Sequence, residues 1–318
     1  MQKGLIRLPP GSERVVDADE EVFVLYSSKF TPASSNEPPR GLGYLDSRTD
    51  ILTLSFEMKP PSPSKHGISK SKQKMQEKTI EIQLAQDKTA LRTRTGDTGS
   101  VVWKASVDVA QMILEQHHAK SPASIFDERL KDANVLELGS GTGLLSIALS
   151  PLVGQYMATD IAELVPLIRK NLSLNFPGWP HVPAKQGSLG PGHNVSVDEL
   201  NWETLHSAPP HRRAQLFPLP PSPFDIVLIV DCIYHPNLLP PLLAAMDYVS
   251  TSETTAVVVV MELRAEDVTR EFLEGWLTIG DGRWEVWRLG SDESGEGLLG
   301  KDKPYVIESQ YLISIDAD

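Results

Sequence analysis

The residues best suited to chemistry lie in `FDIVLIVDCIYHPNL`, 224–238. Apolar residues lead into Asp231, and Tyr234 follows three positions later. A carboxylate beside an aromatic ring with a hydroxyl can hold and orient a cation. Between them stands Cys232, the only cysteine of the chain, with His235 close behind. As a nucleophile–base pair, Cys232 and His235 would need a third group to orient the imidazole, and no such group is evident. A lone cysteine after an apolar strand more often packs as a small hydrophobe. Cys232 therefore reads as a spacer.

A second set lies in `VLELGSGTGLLSI` (135–147), with Glu137, Gly139, Ser140, Gly141 and Gly143. Glycines between a strand and a helix let a ligand approach the backbone and the free N–H groups of the helix start. A dinucleotide fingerprint is G-x-G-x-x-G, whereas this loop is E-x-G-x-G-x-G. A pyrophosphate disfavours a carboxylate nearby. A ligand with an α-ammonium and a sulfonium, as in S-adenosylmethionine, can use one. Asp160 closes the next strand, `QYMATD` (155–160), where an acid accepts hydrogen bonds from ribose hydroxyls. A tight turn without a ligand is the bland alternative for the glycines alone. The pairing with Asp160 favours the cofactor.

These residues require a parallel sheet. From residue 107 onward strands and helices alternate. Strands are expected at 134–139, 155–160, 225–231 and 255–263, and helices at 107–118, 162–175 and 236–249. A further helix (`VTREFLEGWL`) and two closing strands (`RWEVWRL` and within `YVIESQYLISI`) follow. The pattern predicts an α/β, doubly wound, Rossmann-like sheet. Its apolar runs, `IVLIV` and `AVVVVM`, are strand-sized and too short to span a bilayer. `SAPPHRRAQLFPLPPSP` (207–223) and `SDESGEG` (291–297) read as surface loops.

Residues 1–95 read as a β-rich extension of a catalytic domain at 96–318. Strand-like stretches are `EEVFVLYSS` (20–28), a hairpin within `GLGYLDSRTDILTLSF` (41–56), and `TIEIQLAQ` (79–86). The basic, Pro- and Ser-rich segment 59–74 reads as a mobile loop. Asn171 and Asn175 share a helix face, and either cap the helix end before Pro177 or line the cleft. Glu262 and Arg264 stand either at the rim of a substrate channel or on plain surface.

The 318-residue chain is 40% hydrophobic, enough for a proper core, and carries a formal charge of −12. That sign disfavours a nucleic-acid partner and favours a basic one. One cysteine excludes an internal disulfide and a cysteine-built zinc site, and no metal is expected. The start lacks the apolar core of a signal peptide. A cytoplasmic or nuclear, monomeric protein with no membrane contact is expected.

From about residue 96 onward, the chain resembles the seven-β-strand protein-lysine methyltransferases, the methyltransferase-like group that modifies chaperones, elongation factors and ribosomal proteins. `TGSVVWKAS` (98–106) is similar to that group's tryptophan segment, and `LELGSGTG` to its glycine motif. `VDELNW` (197–202) is similar to its L-x-W segment, and `DCIY` (231–234) to its D-x-x-Y signature. The N-terminal stretches resemble the fungal branch called ribosomal lysine N-methyltransferase 5. The resemblance implies a seven-stranded class I methyltransferase sheet, S-adenosylmethionine as cofactor and a protein lysine as substrate, on a ribosomal or translation-related protein. It places Trp103, Gly139, Ser140, Gly141, Asp160, Trp202 and Val230 at the cofactor, and Asp231 and Tyr234 at the substrate. Relatives often carry Asp before the second tryptophan, where this chain has Asn201. Trp103 and Trp202 as plain core residues are the bland alternative. At the D-x-x-Y position, enzymes that methylate neutral planar nitrogens carry N-P-P-Y. An acid without Pro-Pro suits a cation instead. The rival functions are a methyltransferase for small molecules or nucleic acid, a non-catalytic cofactor-binding module, and an NAD-linked oxidoreductase.

Overall fold

The computed structural model describes residues 2–27, 43–46, 49–59, 77–87, 98–121, 124–180, 190–250, 255–282, 284–290 and 305–312. The segments expected as a mobile loop (59–74, apart from Lys59) and as the loop 291–297 lie outside the described residues.

The strands are β1 (Gln2–Lys3), β2 (Ile6–Arg7), β3 (Glu13–Val15), β4 (Ile51–Met58), β5 (Lys78–Ala85), β6 (Asn134–Leu138), β7 (Gln155–Asp160), β8 (Val195–Glu199), β9 (Ile226–Val230), β10 (Ala256–Glu262), β11 (Trp284–Arg288) and β12 (Tyr305–Leu312). The helices are α1 (Ala18–Ser27), α2 (Lys104–His118), α3 (Leu144–Leu149), α4 (Val165–Asn175), α5 (Trp202–Ser207), α6 (Pro210–Leu216), α7 (Leu239–Val249) and α8 (Glu266–Thr278).

The main sheet runs β3-β11-β12-β10-β9-β6-β7-β8. Its five strands from β8 to β10 are parallel, and β12, β11 and β3 add antiparallel pairs. The expected seven-stranded sheet thus has eight strands, because Glu13–Val15 of the N-terminal segment pairs with β11. β9 and nearly all of β10 are buried, as strands covered on both faces must be. Chain order reverses at β6, which has β7 on one side and β9 on the other. A crevice at the carboxyl ends of the strands belongs at such a switch point.

Three local expectations are corrected. Residues 18–27 form α1 rather than a strand. Asp17 accepts a bond from Glu20 N, acids fill the first turn, and Ala18, Val22 and Leu25 bury one helical stripe. The hairpin is β4 with β5, Ile51 facing Ala85, and among the described residues no pairing within 41–56 is seen. Tyr44 instead bridges Trp103. Loop 207–223 contains α6, since Pro209 and Pro210 suit the cap and first position of a helix and `HRRAQL` propagates it.

The β4–β5 hairpin buries Leu54, Phe56, Met58, Ile82 and Leu84 in the same core as α2 and β6. Its outer edge is held by α4. Asn175 exchanges bonds with Gln83 N and O at 3.0 and 2.7 Å. Asn171 does the same with Ala85 N and O at 2.7 and 3.0 Å. Residues four apart on a helix thus pair with alternate residues of a strand. The two amides neither cap the helix nor line the cleft. They stand in for a missing neighbouring strand.

Candidate active site

The carboxyl ends of β6, β7, β8 and β9 surround a cavity of about 700 Å³. Trp103, Glu137, Gly139, Ser140, Gly141, Asp160, Trp202, Val230, Asp231 and Tyr234 all line it. Gly143, expected with them, does not. At φ +77° it starts α3, and a Cβ there would stand 2.9 Å from Ile168. Its role is the turn itself.

The glycine loop is shaped by close approaches. A Cβ on Gly139 would lie 2.6 Å from the Cys232 sulfur and 3.3 Å from the Trp202 ring. A Cβ on Gly141 would lie 3.0 Å from the Gly99 carbonyl oxygen, and Gly141 is at φ +54°. The loop is tied to β7 by Gly141 N, which donates to Asp160 Oδ2 at 2.7 Å, and by Thr159 N, which donates to Ser140 Oγ at 3.1 Å. Gly99 touches both Gly141 and Leu164. Sequence reading missed it, though it stands inside the tryptophan segment.

Glu137 is buried and accepts from the Tyr156 hydroxyl at 2.9 Å. Burial raises its carboxyl to about 7, against bonds from Ser140 and Tyr156 that lower it. Trp202 Nε1 is buried in the cavity wall without a partner. Asn201 Oδ1 caps α5 by accepting from Thr204 N at 2.9 Å, a task that Asn and Asp perform equally.

Asp231 adopts the left-handed conformation, φ +60°, which Asp tolerates better than most residues. Its side chain is 3% exposed, and its two oxygens each accept from Arg264 at 2.7 Å. Burial pushes its carboxyl up despite that partner. Arg264 also pairs with Glu262 at 2.7 Å and lies 5.1 Å over the Trp103 ring. Sequence reading left Arg264 undecided between rim and surface. The apolar run of β10 carries no sign that Arg264 turns back onto Asp231.

Cys232 is buried, its thiol points at Leu138 O, and burial pushes it well above the ordinary thiol range. His235 Nδ1 accepts from Asn237 N and so caps a turn.

Five acids line the cavity (Glu137, Asp160, Glu163, Glu203 and Asp231), and no Lys or Arg does among the described residues. Such a wall repels phosphate and attracts cations. A glycine loop after the first parallel strand, an acid after the second and an acidic cavity at the switch point define a class I methyltransferase architecture.

Comparison with known proteins narrows that class. A family model described as lysine methyltransferase matches residues 83–276, and the chain belongs to that family. A diaminohydroxyphosphoribosylamino-pyrimidine deaminase of Schizosaccharomyces pombe is 29% identical over 262 residues, 82% of this chain and 51% of that protein. The protein-lysine methyltransferase METTL21E of Bos taurus is 32% identical over 168 residues, 53% of this chain and 49% of that one. The chain therefore spans about half the length of these two relatives. Ribosomal lysine N-methyltransferase 5 of Kluyveromyces lactis is 23% identical, covering 76% of this chain and 83% of that protein. No helix among the described residues is long and apolar enough to cross a membrane.

Proposed function

We propose that the chain is an S-adenosylmethionine-dependent protein-lysine N-methyltransferase acting on a ribosomal or translation-related protein, in the cytoplasm or nucleus and as a monomer. The observation that carries the reading is the cavity wall of five acids with no Lys or Arg among the described residues. It suits a cofactor with two positive groups and a cationic acceptor, and it does not suit phosphate. The residues present fit that cofactor. Gly139 and Gly141 let it approach the backbone. Asp160 would accept from the ribose hydroxyls, and Glu137 would meet the α-ammonium. Trp103, Trp202 and Val230 enclose its apolar parts, with the unpartnered Trp202 Nε1 available as a donor.

When bound, S-adenosylmethionine supplies a methyl group activated on a sulfonium. The protein aligns the acceptor and keeps water out. A lysine must first lose a proton, which costs roughly 4–5 kcal/mol at pH 7 from its reference value. Burial and the nearby sulfonium lower that cost. Asp231 orients the arriving amine and Tyr234 walls it. In this reading 96–318 is the catalytic unit, and 1–95 an extension that braces it and shapes the substrate side.

The test is incubation with labelled S-adenosylmethionine and a protein extract from cells lacking the enzyme. The expected outcome is label on lysine of a discrete protein, located by mass spectrometry. Label confined to RNA or small molecules, or calorimetry showing NADH binding and none of S-adenosylmethionine, would sink the reading.

A further inference from the structure

Asp231 poses a difficulty for the reaction just proposed. A bare carboxylate stabilises an ammonium and so opposes the proton loss that the acceptor needs. The structure contains a group placed to relieve this. The wall of the cavity includes Asp231, Trp103 and Tyr234, but neither Arg264 nor Glu262. Arg264 grips Asp231 from behind, with Nη1 on one oxygen and Nη2 on the other, both at 2.7 Å. The same guanidinium covers Trp103 at 5.1 Å and holds Glu262 Oε2 at 2.7 Å. The N-terminal segment packs against one side of the cluster: a Cβ on Gly43 would meet Glu262 Oε2 at 2.8 Å and Arg264 Nη2 at 3.0 Å, while the Arg264 side chain stays 27% exposed. The bidentate geometry fixes the orientation of Asp231 and favours its ionised form against burial. A carboxylate has about four acceptor positions; the guanidinium fork uses two of them and the Glu262 backbone N–H a third.

We propose that Arg264 is a positioning residue of the acceptor side: it offsets part of the charge of Asp231, its own charge being shared with Glu262, while leaving that carboxylate able to orient the acceptor amine, so that the amine gives up its proton more readily. The inference rests on the lysine methyltransferase reading. The step concerned is proton loss from the bound ammonium to water, which leaves the nitrogen lone pair for bond formation. The other charged or titratable groups around Asp231 are Glu262 behind it and Glu137, Asp160, Tyr234 and His235 on the cavity side. The net negative wall recruits the cation, and the Asp231–Arg264 pair keeps the last contact from holding its proton.

Arg264→Gln removes the charge, and Arg264→Lys retains it. The first readout is the pH dependence of kcat/KM for methyl incorporation into the labelled protein. The ascending limb should move about one pH unit higher in Arg264→Gln, and stay within a few tenths of wild type in Arg264→Lys. The second readout needs no substrate protein. n-Butylammonium, a mimic of the lysine side chain, should bind Arg264→Gln about tenfold tighter than wild type. The gain should vanish in the Asp231→Asn, Arg264→Gln double variant. An unmoved limb with unchanged butylammonium affinity would overturn the inference, as would Arg264→Lys shifting as far as Arg264→Gln. Loss of S-adenosylmethionine binding in Arg264→Gln would overturn it too, by assigning Arg264 to the cofactor end. If the wild-type protein labels no lysine, the function reading falls and this inference with it.

Discussion

Replacing Asn171 with alanine tests how the N-terminal hairpin is fastened to the catalytic sheet. Asn171 is fully buried and makes three side-chain bonds: from Ala85 N at 2.7 Å, to Ala85 O at 3.0 Å and to Thr142 O at 2.9 Å. Ala85 and Thr142 are themselves buried, so water cannot replace the lost partner. A stranded buried donor or acceptor costs about 1–3 kcal/mol each. The N–H is the least tolerant, and carbonyls share the burden better. The sum is about 3–5 kcal/mol, a large share of the 5–15 kcal/mol that holds a typical fold. Asn175→Ala is the internal control. Its bonds to Gln83 are exposed, so water substitutes and the loss should be about 1 kcal/mol or less. Urea denaturation of both variants measures the difference. Because Thr142 belongs to the glycine loop, Asn171→Ala should also weaken S-adenosylmethionine binding several-fold. Equal stabilities for the two variants would refute the strand-substitute account of α4.

Three further outcomes are expected. Asp231→Asn should abolish lysine methylation while S-adenosylmethionine affinity by calorimetry stays within a few fold; retained turnover would remove Asp231 from the acceptor side. Glu137 has a folded carboxyl raised from 4.5 to about 7, so it favours the fold below pH 4.5 and that contribution, about 3 kcal/mol at most, is lost as pH rises towards 7. Stability of the cofactor-free protein should fall over that window, cofactor affinity should rise through it as the ionised carboxylate meets the ammonium, and Glu137→Gln should flatten both curves in melting and binding series. Cys232→Ala should remain active in the labelling assay, its cost being a small void beside Gly139; an inactive, folded variant would revive the thiol as a participant.

The periodic part of the chain was legible because its signals are local. The all-apolar β9 and the apolar run of β10 state burial on both faces, and the glycines after β6 state a close approach. Boundaries there agree to within a few residues. The N-terminal segment misled because its short elements alternate too few times. `EEVFVLYSS` reads as a strand by composition, yet Asp17 caps it and its apolar stripe meets α8, with Tyr26 bonded to Thr269. The partner of β4 was misplaced because a long connection, 59–77, separates it from β5, and loop length carries no pairing information.

At the site the division is similar. The residue types alone determined that a carboxylate and an aromatic ring close β9 and that a carboxylate precedes the glycine loop. Each is a statement about chemistry within a few positions of one strand end. What only the tertiary structure decided is the company these groups keep. Arg264, 33 positions after Asp231, bonds both of its oxygens, and Gly43 packs against Arg264 and Glu262. Asn171 and Asn175 bond to a strand about 90 residues earlier. Such contacts join segments distant along the chain. Their geometry depends on how the strands align across the sheet, and no local pattern encodes that.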